Sequence, residues 1–225
     1  MFILLIVRLV LYSEDEIADL NNLSEDEKTN GISSSEPHYV LYDKGDKDGN
    51  KWYLKTPFYI NWSKENVKFL KDNAGKKGKG GTRYQNSQFY FRNGFCWTDI
   101  HTKYLKSRIK ENGIYDVKSM SLFSLNNLVP DWYVVCLLNS KYISEYTHDF
   151  INNTQTFQIN DARIVPIIVP NKKQLKTFEN IFLNALKIKE DFFNDKLDLE
   201  VYNKQLDEIQ DELDKTVYDL YNINN

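Results

Sequence analysis

Lysine and arginine side chains are concentrated in one stretch of the chain, where they could bind phosphate groups. From Lys64 to Lys110 there are twelve basic residues and three acidic ones, a local charge of +9. Basic side chains that neutralise phosphates and release counterions supply most of the affinity for nucleic acid, whatever the base sequence. The basic residues best suited to this role form a glycine-rich run and a later cluster: Lys76, Lys77, Lys79, Lys103, Lys106, Arg108 and Lys110.

Reading a base sequence needs planar or forked side chains, and several lie between the two lysine clusters. Arg83 and Arg92 could each donate two hydrogen bonds to a guanine, and Gln85 could pair with an adenine. Tyr84 and Trp97 offer aromatic rings that can stack on bases. Side chains alternate between the two faces of a strand, so about half of such rings are expected to point into the core.

The basic stretch is flanked by two acidic ones. From Ser13 to Glu36 there are eight acidic residues and one basic residue, and from Lys189 to Asp219 there are eleven and four. This asymmetry indicates a directed binding face for a polyanion. The alternative is a solvated surface of mixed charge.

Other kinds of chemistry find little support in the sequence. Two cysteines, Cys96 and Cys136, give neither a disulfide framework nor metal-ligand spacing, which favours a reduced, cytoplasmic setting. The three histidines are scattered, and the glycine-rich run 74–81 lacks the spacing of a nucleotide-binding loop. The apolar run 2–12 is too short to span a bilayer. We expect it to form a buried strand or helix. Its place directly after Met1 also suggests a truncated larger protein.

Local patterns predict the elements that carry these residues. Ser13 and Glu16 form a capping-box pattern for a helix over 14–22. Alternation predicts two strands joined by a polar turn, and Ser63 as N-cap predicts a helix followed by a basic loop. The predicted segments are strand 38–42, turn 43–50, strand 51–59, helix 63–73, loop 74–81 and a hairpin over 88–98 that turns at Asn93-Gly94.

The C-terminal half is predicted to be mostly helical. The apolar run 132–138 could be a central strand or a buried helix. After Pro170, apolar residues recur at helical spacing in two stretches separated by residues 194–198, which predicts an antiparallel helical hairpin. The fold class is therefore α+β, with small antiparallel sheets.

Three segments resemble one family in the same order along the chain. Residues 39–71 carry a Tyr-Asp-Lys-Gly turn, a strand with Trp52 and then Asn61-Trp62 before a helix. Residues 81–100 carry a Gly-x-Arg segment and a Tyr-Phe-x-x-Gly-x-x-Trp pattern, and residues 134–170 carry Leu-Leu-Asn-Ser-Lys, Asn-x-Thr and Ile-Val-Pro-Ile-Ile-Val-Pro. Together with 213–223, they resemble the C-terminal target-recognition domain of type IIG restriction–modification and phage-exclusion adenine-specific DNA methyltransferases.

The resemblance implies sequence-specific recognition of double-stranded DNA for an adenine-N6 methyltransferase or restriction–modification enzyme. It divides the chain into an N-terminal arm (1–36), a recognition domain (37–170) and the hairpin (171–225). The family's Asn/Asp-Pro-Pro-Tyr motif and glycine-rich S-adenosylmethionine loop have no counterpart here. We therefore expect no catalytic residue, metal site or cofactor in this chain, and S-adenosylmethionine only in a separate catalytic domain or partner chain.

A different kind of function remains open. The chain could be an interaction module or subunit that binds a protein through its acidic helices and never contacts DNA. The arrangement of the basic residues between Lys64 and Lys110 distinguishes the two hypotheses: one contiguous positive face favours DNA binding, whereas scattered basic residues favour the interaction module.

Overall fold

The computed structural model describes residues 14–46, 49–98, 100, 104–116, 119–123 and 128–223. The chain folds into two compact units, each assembled from separate segments. The first unit comprises Met1–Lys44, Thr56–Asn93 and Glu111–Val117, and the second comprises Gly45–Lys55, Gly94–Lys110 and Lys118–Asn225. Neither unit coincides with the consecutive segments 1–36, 37–170 and 171–225.

The first unit contains a small mixed sheet. Strand β1 (Tyr39–Asp43) lies between β2 (Tyr59–Asn61), which is antiparallel to it, and β5 (Ile114–Tyr115), which is parallel. Val40, Trp62 and Ile114 are part of the core beside it. The predicted first strand is confirmed, whereas the second is a short strand at 59–61 and not a strand over 51–59.

Two short helices complete the first unit. Helix α2 (Lys64–Asp72) begins where predicted, with the Ser63 hydroxyl accepting a hydrogen bond from the amide of Asn66. The predicted helix over 14–22 is wrong. Only Glu14–Glu16 forms a 3-10 turn, and the capping box lies at Ser24 and Glu27, at the start of α1 (Glu25–Asn30). The intervening chain runs alongside β1 instead, with the Ala18 amide donating to the carbonyl of Tyr39.

The second unit contains an antiparallel sheet. Strand β3 (Gly94–Thr98) is central and pairs with both β4 (Ser107–Lys110) and β6 (Ser119–Leu122). The predicted hairpin at Asn93-Gly94 is therefore wrong. Residues Ser87–Phe89 form a 3-10 turn and Phe91 has a φ of +57°, so the chain before Gly94 does not form the partner strand.

Helices make up most of the second unit and confirm the α+β class. The apolar run 132–138 lies in helix α3 (Asp131–Asn139), which is buried on nearly all sides. Helices α4 (Lys141–Phe150) and α5 (Ile159–Ala162) follow. The predicted C-terminal helix pair is confirmed as α6 (Lys172–Phe193) and α7 (Leu199–Leu220), which pack against each other. Among the described residues, no helix combines the length and apolar character needed to cross a membrane.

Candidate nucleic-acid interface

The three lysines of the glycine-rich run lie in a closed loop of the first unit. We call residues 73–82 the lysine loop. The amide of Thr82 donates to the carbonyl of Asn73 (3.0 Å), and the amide of Gly75 donates to the carbonyl of Thr82 (3.0 Å). The buried Thr82 hydroxyl also donates to the carbonyl of Leu70 (2.6 Å) near the end of α2. These bonds tie both ends of the loop to the helix.

Glycine is required at specific points of the lysine loop. Gly75, Gly78 and Gly80 have φ values of +72°, +90° and +95°, a region that other residues rarely adopt. Gly81 has no room for a side chain, because a Cβ there would collide with the carbonyl oxygen of Lys76. The loop therefore has a defined shape at its neck.

The lysine loop exposes positive charge with little compensation. Lys76, Lys77 and Lys79 are all exposed, and no acidic residue occurs between Asp72 and Asp99 in the sequence. Asp72, at the base of the loop, accepts a hydrogen bond from Lys68 (2.5 Å), and this bond lowers the pKa of the Asp72 carboxyl. The local field is therefore favourable for phosphate.

Beyond the loop, Arg83 and Gln85 point outward from an anchored segment. Thr82 is buried and the ring of Tyr84 stacks on Trp62, with 6.4 Å between the ring centroids. Arg83 and Gln85, on either side of Tyr84, are exposed. Both side chains are therefore open to solvent.

The tyrosines of this segment pack within the first unit. Tyr84 is half-buried against Trp62, and Tyr90 makes edge-on contacts with Trp62, Tyr84 and Tyr115 at 5.9, 5.8 and 5.3 Å between centroids. Burial raises the pKa of Tyr90 above its usual range. Tyr84, predicted as a base contact, therefore stabilises the segment from behind.

Arg92 is exposed and held against an aromatic ring of its own unit. Its guanidinium carbon lies 5.6 Å from the centroid of Phe89. Burial raises the pKa of the nearby Tyr115 to about 12, and the charge of Arg92 acts in the opposite direction. The cation–π contact orients Arg92 without removing it from solvent.

The remaining predicted contacts belong to the second unit, and most need correction. Trp97 is 1% exposed and donates its indole N–H to the carbonyl of Phe157 (2.8 Å), and Arg108 and Lys110 are each 2% exposed. Trp97, Arg108 and Lys110 are therefore buried in the second unit, which contradicts their prediction as DNA contacts. Lys106 is half-buried, its aliphatic chain beside Gly49. Lys103 lies outside the described residues.

The burial of these side chains has a common cause. Phe95, Cys96 and Trp97 are consecutive in β3 and all buried, so both faces of this central strand are covered. Alternation exposes side chains only where one face of a sheet is open to solvent. The sequence analysis also missed that Trp62 and Thr82 support the exposed pair. The sequence signals for this support were an aromatic residue just before a helix, Trp62, and a threonine just after a glycine run, Thr82.

The arrangement can bind an anion through ammonium and guanidinium groups. Within the described part of the chain, no three His, Cys, Asp or Glu residues come together as a possible metal site. No protein-family model matches this chain, and no curated protein sequence matches it either.

Proposed function

We propose that this chain binds double-stranded DNA as a target-recognition module. The lysine loop would contact phosphates, and Arg83 and Gln85 would read bases. The observation that carries the proposal is the lysine loop itself. Its neck is fixed to α2, it exposes three ammonium groups, and no acidic residue lies between it and Arg92.

The chemistry divides between the two groups of residues. A lysine is a flexible point charge and binds phosphate without regard to sequence. Arg83 carries a planar fork that matches N7 and O6 of guanine, and Gln85 can pair with N6 and N7 of adenine.

The link to adenine methylation rests on the resemblance of residues 39–223 to target-recognition domains. Methyl transfer to adenine requires the base to leave the helical stack. A recognition module would hold the duplex against a catalytic domain that contains S-adenosylmethionine and the Asn/Asp-Pro-Pro-Tyr motif. That domain is proposed to be a separate part or partner of this chain.

The test is a fluorescence-anisotropy titration of a labelled duplex with the full chain and its variants. Replacing Lys76, Lys77 and Lys79 with alanine is expected to weaken binding to all sequences alike. The matched control replaces Lys172, Lys173 and Lys187, which are exposed lysines of α6. Because these residues are not proposed to contact phosphate, the affinity should change by less than about twofold.

A second arm tests base reading with a duplex selected from a randomised pool. Arg83→Ala should reduce the preference for the selected duplex over random sequence by about 1–3 kcal/mol. Arg163→Ala, at an exposed arginine of the second unit, is the control. If Arg83→Ala behaves like the lysine variant, Arg83 contacts only the backbone. If no duplex binds even at low salt, the interaction-module hypothesis becomes the better account.

A further inference from the structure

Five aromatic side chains form a continuous patch on α4 and the end of α7 in the second unit. Along α4, Tyr142, Tyr146 and Phe150 are four residues apart and therefore on one helix face. Their ring centroids are 6.2 Å apart between the first two and 5.1 Å between the last two. Tyr218 and Tyr221 extend the patch, at 5.9 and 4.8 Å from Tyr142. We call these five residues the aromatic patch.

One side of the aromatic patch is anchored and the other faces solvent. Tyr142 and Tyr221 pack against the hydrophobic core of the second unit, and the hydroxyl of Tyr221 donates to the carbonyl of Pro166 (2.6 Å). Phe150, by contrast, is 74% exposed, and Tyr146 and Tyr218 are only half-buried. Phe150 leaves most of its ring in water despite its contact with Tyr146, and exposed apolar patches commonly mark interaction sites.

The charges around the aromatic patch are mainly negative. Helix α4 carries one lysine and two carboxylates, and residues 211–221 carry one lysine and four carboxylates, a net charge of −4 with histidine neutral. Two of these acids lie at the patch itself. Glu145 accepts a hydrogen bond from the Tyr218 hydroxyl (3.5 Å), and the charges of Glu145 and Asp214 act on that hydroxyl in opposition to Lys141, whose ammonium lies 3.8 Å from the Glu145 carboxylate.

The combination of exposed aromatic rings and surrounding negative charge favours one kind of binding partner for the aromatic patch over others. Aromatic platforms that bind single-stranded nucleic acid lie in positively charged grooves, so the negative rim disfavours nucleic acid. A second copy joined through the same patch would bring two negative rims together. A segment with lysine or arginine, by contrast, would gain cation–π contacts with the tyrosines and attraction to the acids.

We propose that the aromatic patch is a docking surface for a basic, amphipathic segment of a partner protein. Apolar side chains of the partner would cover Phe150 and Tyr146, and its cations would lie over the tyrosine rings and near Glu145. Tyrosine is enriched among residues that dominate binding energy at protein interfaces. This surface belongs to the second unit and is independent of the proposed DNA contacts of the first.

The experiment is isothermal calorimetry of the full chain with a synthetic amphipathic peptide that carries arginine on one helix face and leucine on the other. A peptide with glutamate in place of every arginine is the charge control. Only the basic peptide is expected to bind, and the double variant Tyr146→Ala, Phe150→Ala should weaken its affinity by about tenfold or more. Phe69→Ala removes another exposed aromatic side chain (43%), on α2 of the first unit, and should leave the affinity unchanged.

A second variant tests the charges without touching the rings. The double variant Glu145→Gln, Asp149→Asn should reduce the affinity for the basic peptide by a few-fold, and this reduction should become smaller as salt is added. Failure of the basic peptide to bind, or equal binding by the double alanine variant, overturns the proposal. Binding of oligothymidylate that depends on Tyr146 and Phe150 would also overturn it. A dimer seen in sedimentation that Phe150→Ala dissociates would overturn it as well.

Discussion

A buried lysine in the helical hairpin gives the second unit a measurable pH dependence. Lys189 on α6 is 1% exposed, and its ammonium group donates to Asn50 Oδ1 (2.8 Å) and to the hydroxyl of Tyr202 (2.9 Å). It also lies 5.0 Å from the centroid of the Phe193 ring. Burial lowers the pKa of Lys189 from 10.5 to about 8. The charge of Asp46 opposes this shift, and that of Arg108 adds to it.

The sign and size of this pH dependence follow from proton linkage. The folded-state pKa of Lys189 is below the unfolded value, so the unfolded chain holds the proton more tightly between about pH 8 and pH 10.5. Burying the charged amine costs on the order of 3 kcal/mol, fully present below pH 8 and relieved as the pH rises. Between about pH 7 and pH 9.5 this group should raise the free energy of unfolding by about 2 kcal/mol.

The perturbation is Lys189→Met, measured by urea unfolding at several pH values. At neutral pH the loss of two hydrogen bonds to the ammonium group, about 1.5–3 kcal/mol each, largely offsets the removal of a buried charge. The parent should therefore gain about 2 kcal/mol over the variant between about pH 7 and pH 9.5. Burial raises the pKa of Cys136 and of Tyr133, which opposes the rise in both proteins and cancels in the difference, whereas Tyr202 contacts Lys189 and does not cancel.

Lys187→Met, at an exposed position of the same helix, is the control and should follow the parent at every pH. A difference between parent and Lys189→Met that stays constant with pH would refute this reasoning. An NMR titration that finds the ordinary lysine pKa at Lys189 would refute it as well.

Three further substitutions test the packing that supports the proposed interface and the two units. Ser63→Ala removes the N-cap of α2 and should reduce the free energy of unfolding of the first unit by about 1 kcal/mol in urea. Asn139 is fully buried and exchanges two hydrogen bonds with the backbone of Ser107 (2.7 and 2.9 Å), so Asn139→Ala should destabilise the second unit by about 2–5 kcal/mol in the same assay. Gly81→Ala forces the lysine loop to rearrange without changing its charge and should weaken duplex binding in anisotropy. Gly75→Ala, where a Cβ meets no neighbour, adds only about 1–2 kcal/mol of backbone strain.

The helical elements were the most predictable part of the fold. A helix is specified by local features, namely a cap such as Ser63 and apolar residues at three- and four-residue spacing, as in α6 and α7. The exposure of Lys76, Lys77 and Lys79 followed in the same way from a glycine-rich polar run that cannot be buried.

Strand pairing and burial could not be predicted in the same way. The turn at Asn93-Gly94 looked local, but β3 pairs with residues 107–110 and 119–122 instead, and such non-local pairing leaves no pattern in a single sequence. Arg108 and Trp97 lie on strands that are covered on both faces, so their residue types misled the prediction. The aromatic patch depends on α4 meeting the end of α7, which only the tertiary structure brings together.

The most direct test of DNA binding is the salt dependence of duplex affinity for the unaltered chain. We expect a dissociation constant near the non-specific range of about 10⁻⁴ to 10⁻⁶ M, and a linear fall of log K with log salt concentration. If the three lysines of the loop each neutralise one phosphate, replacing all three with alanine should flatten that slope by about three units. Absence of duplex binding at low salt, or an unchanged slope in the triple variant, would contradict the assignment of the lysine loop as the DNA contact.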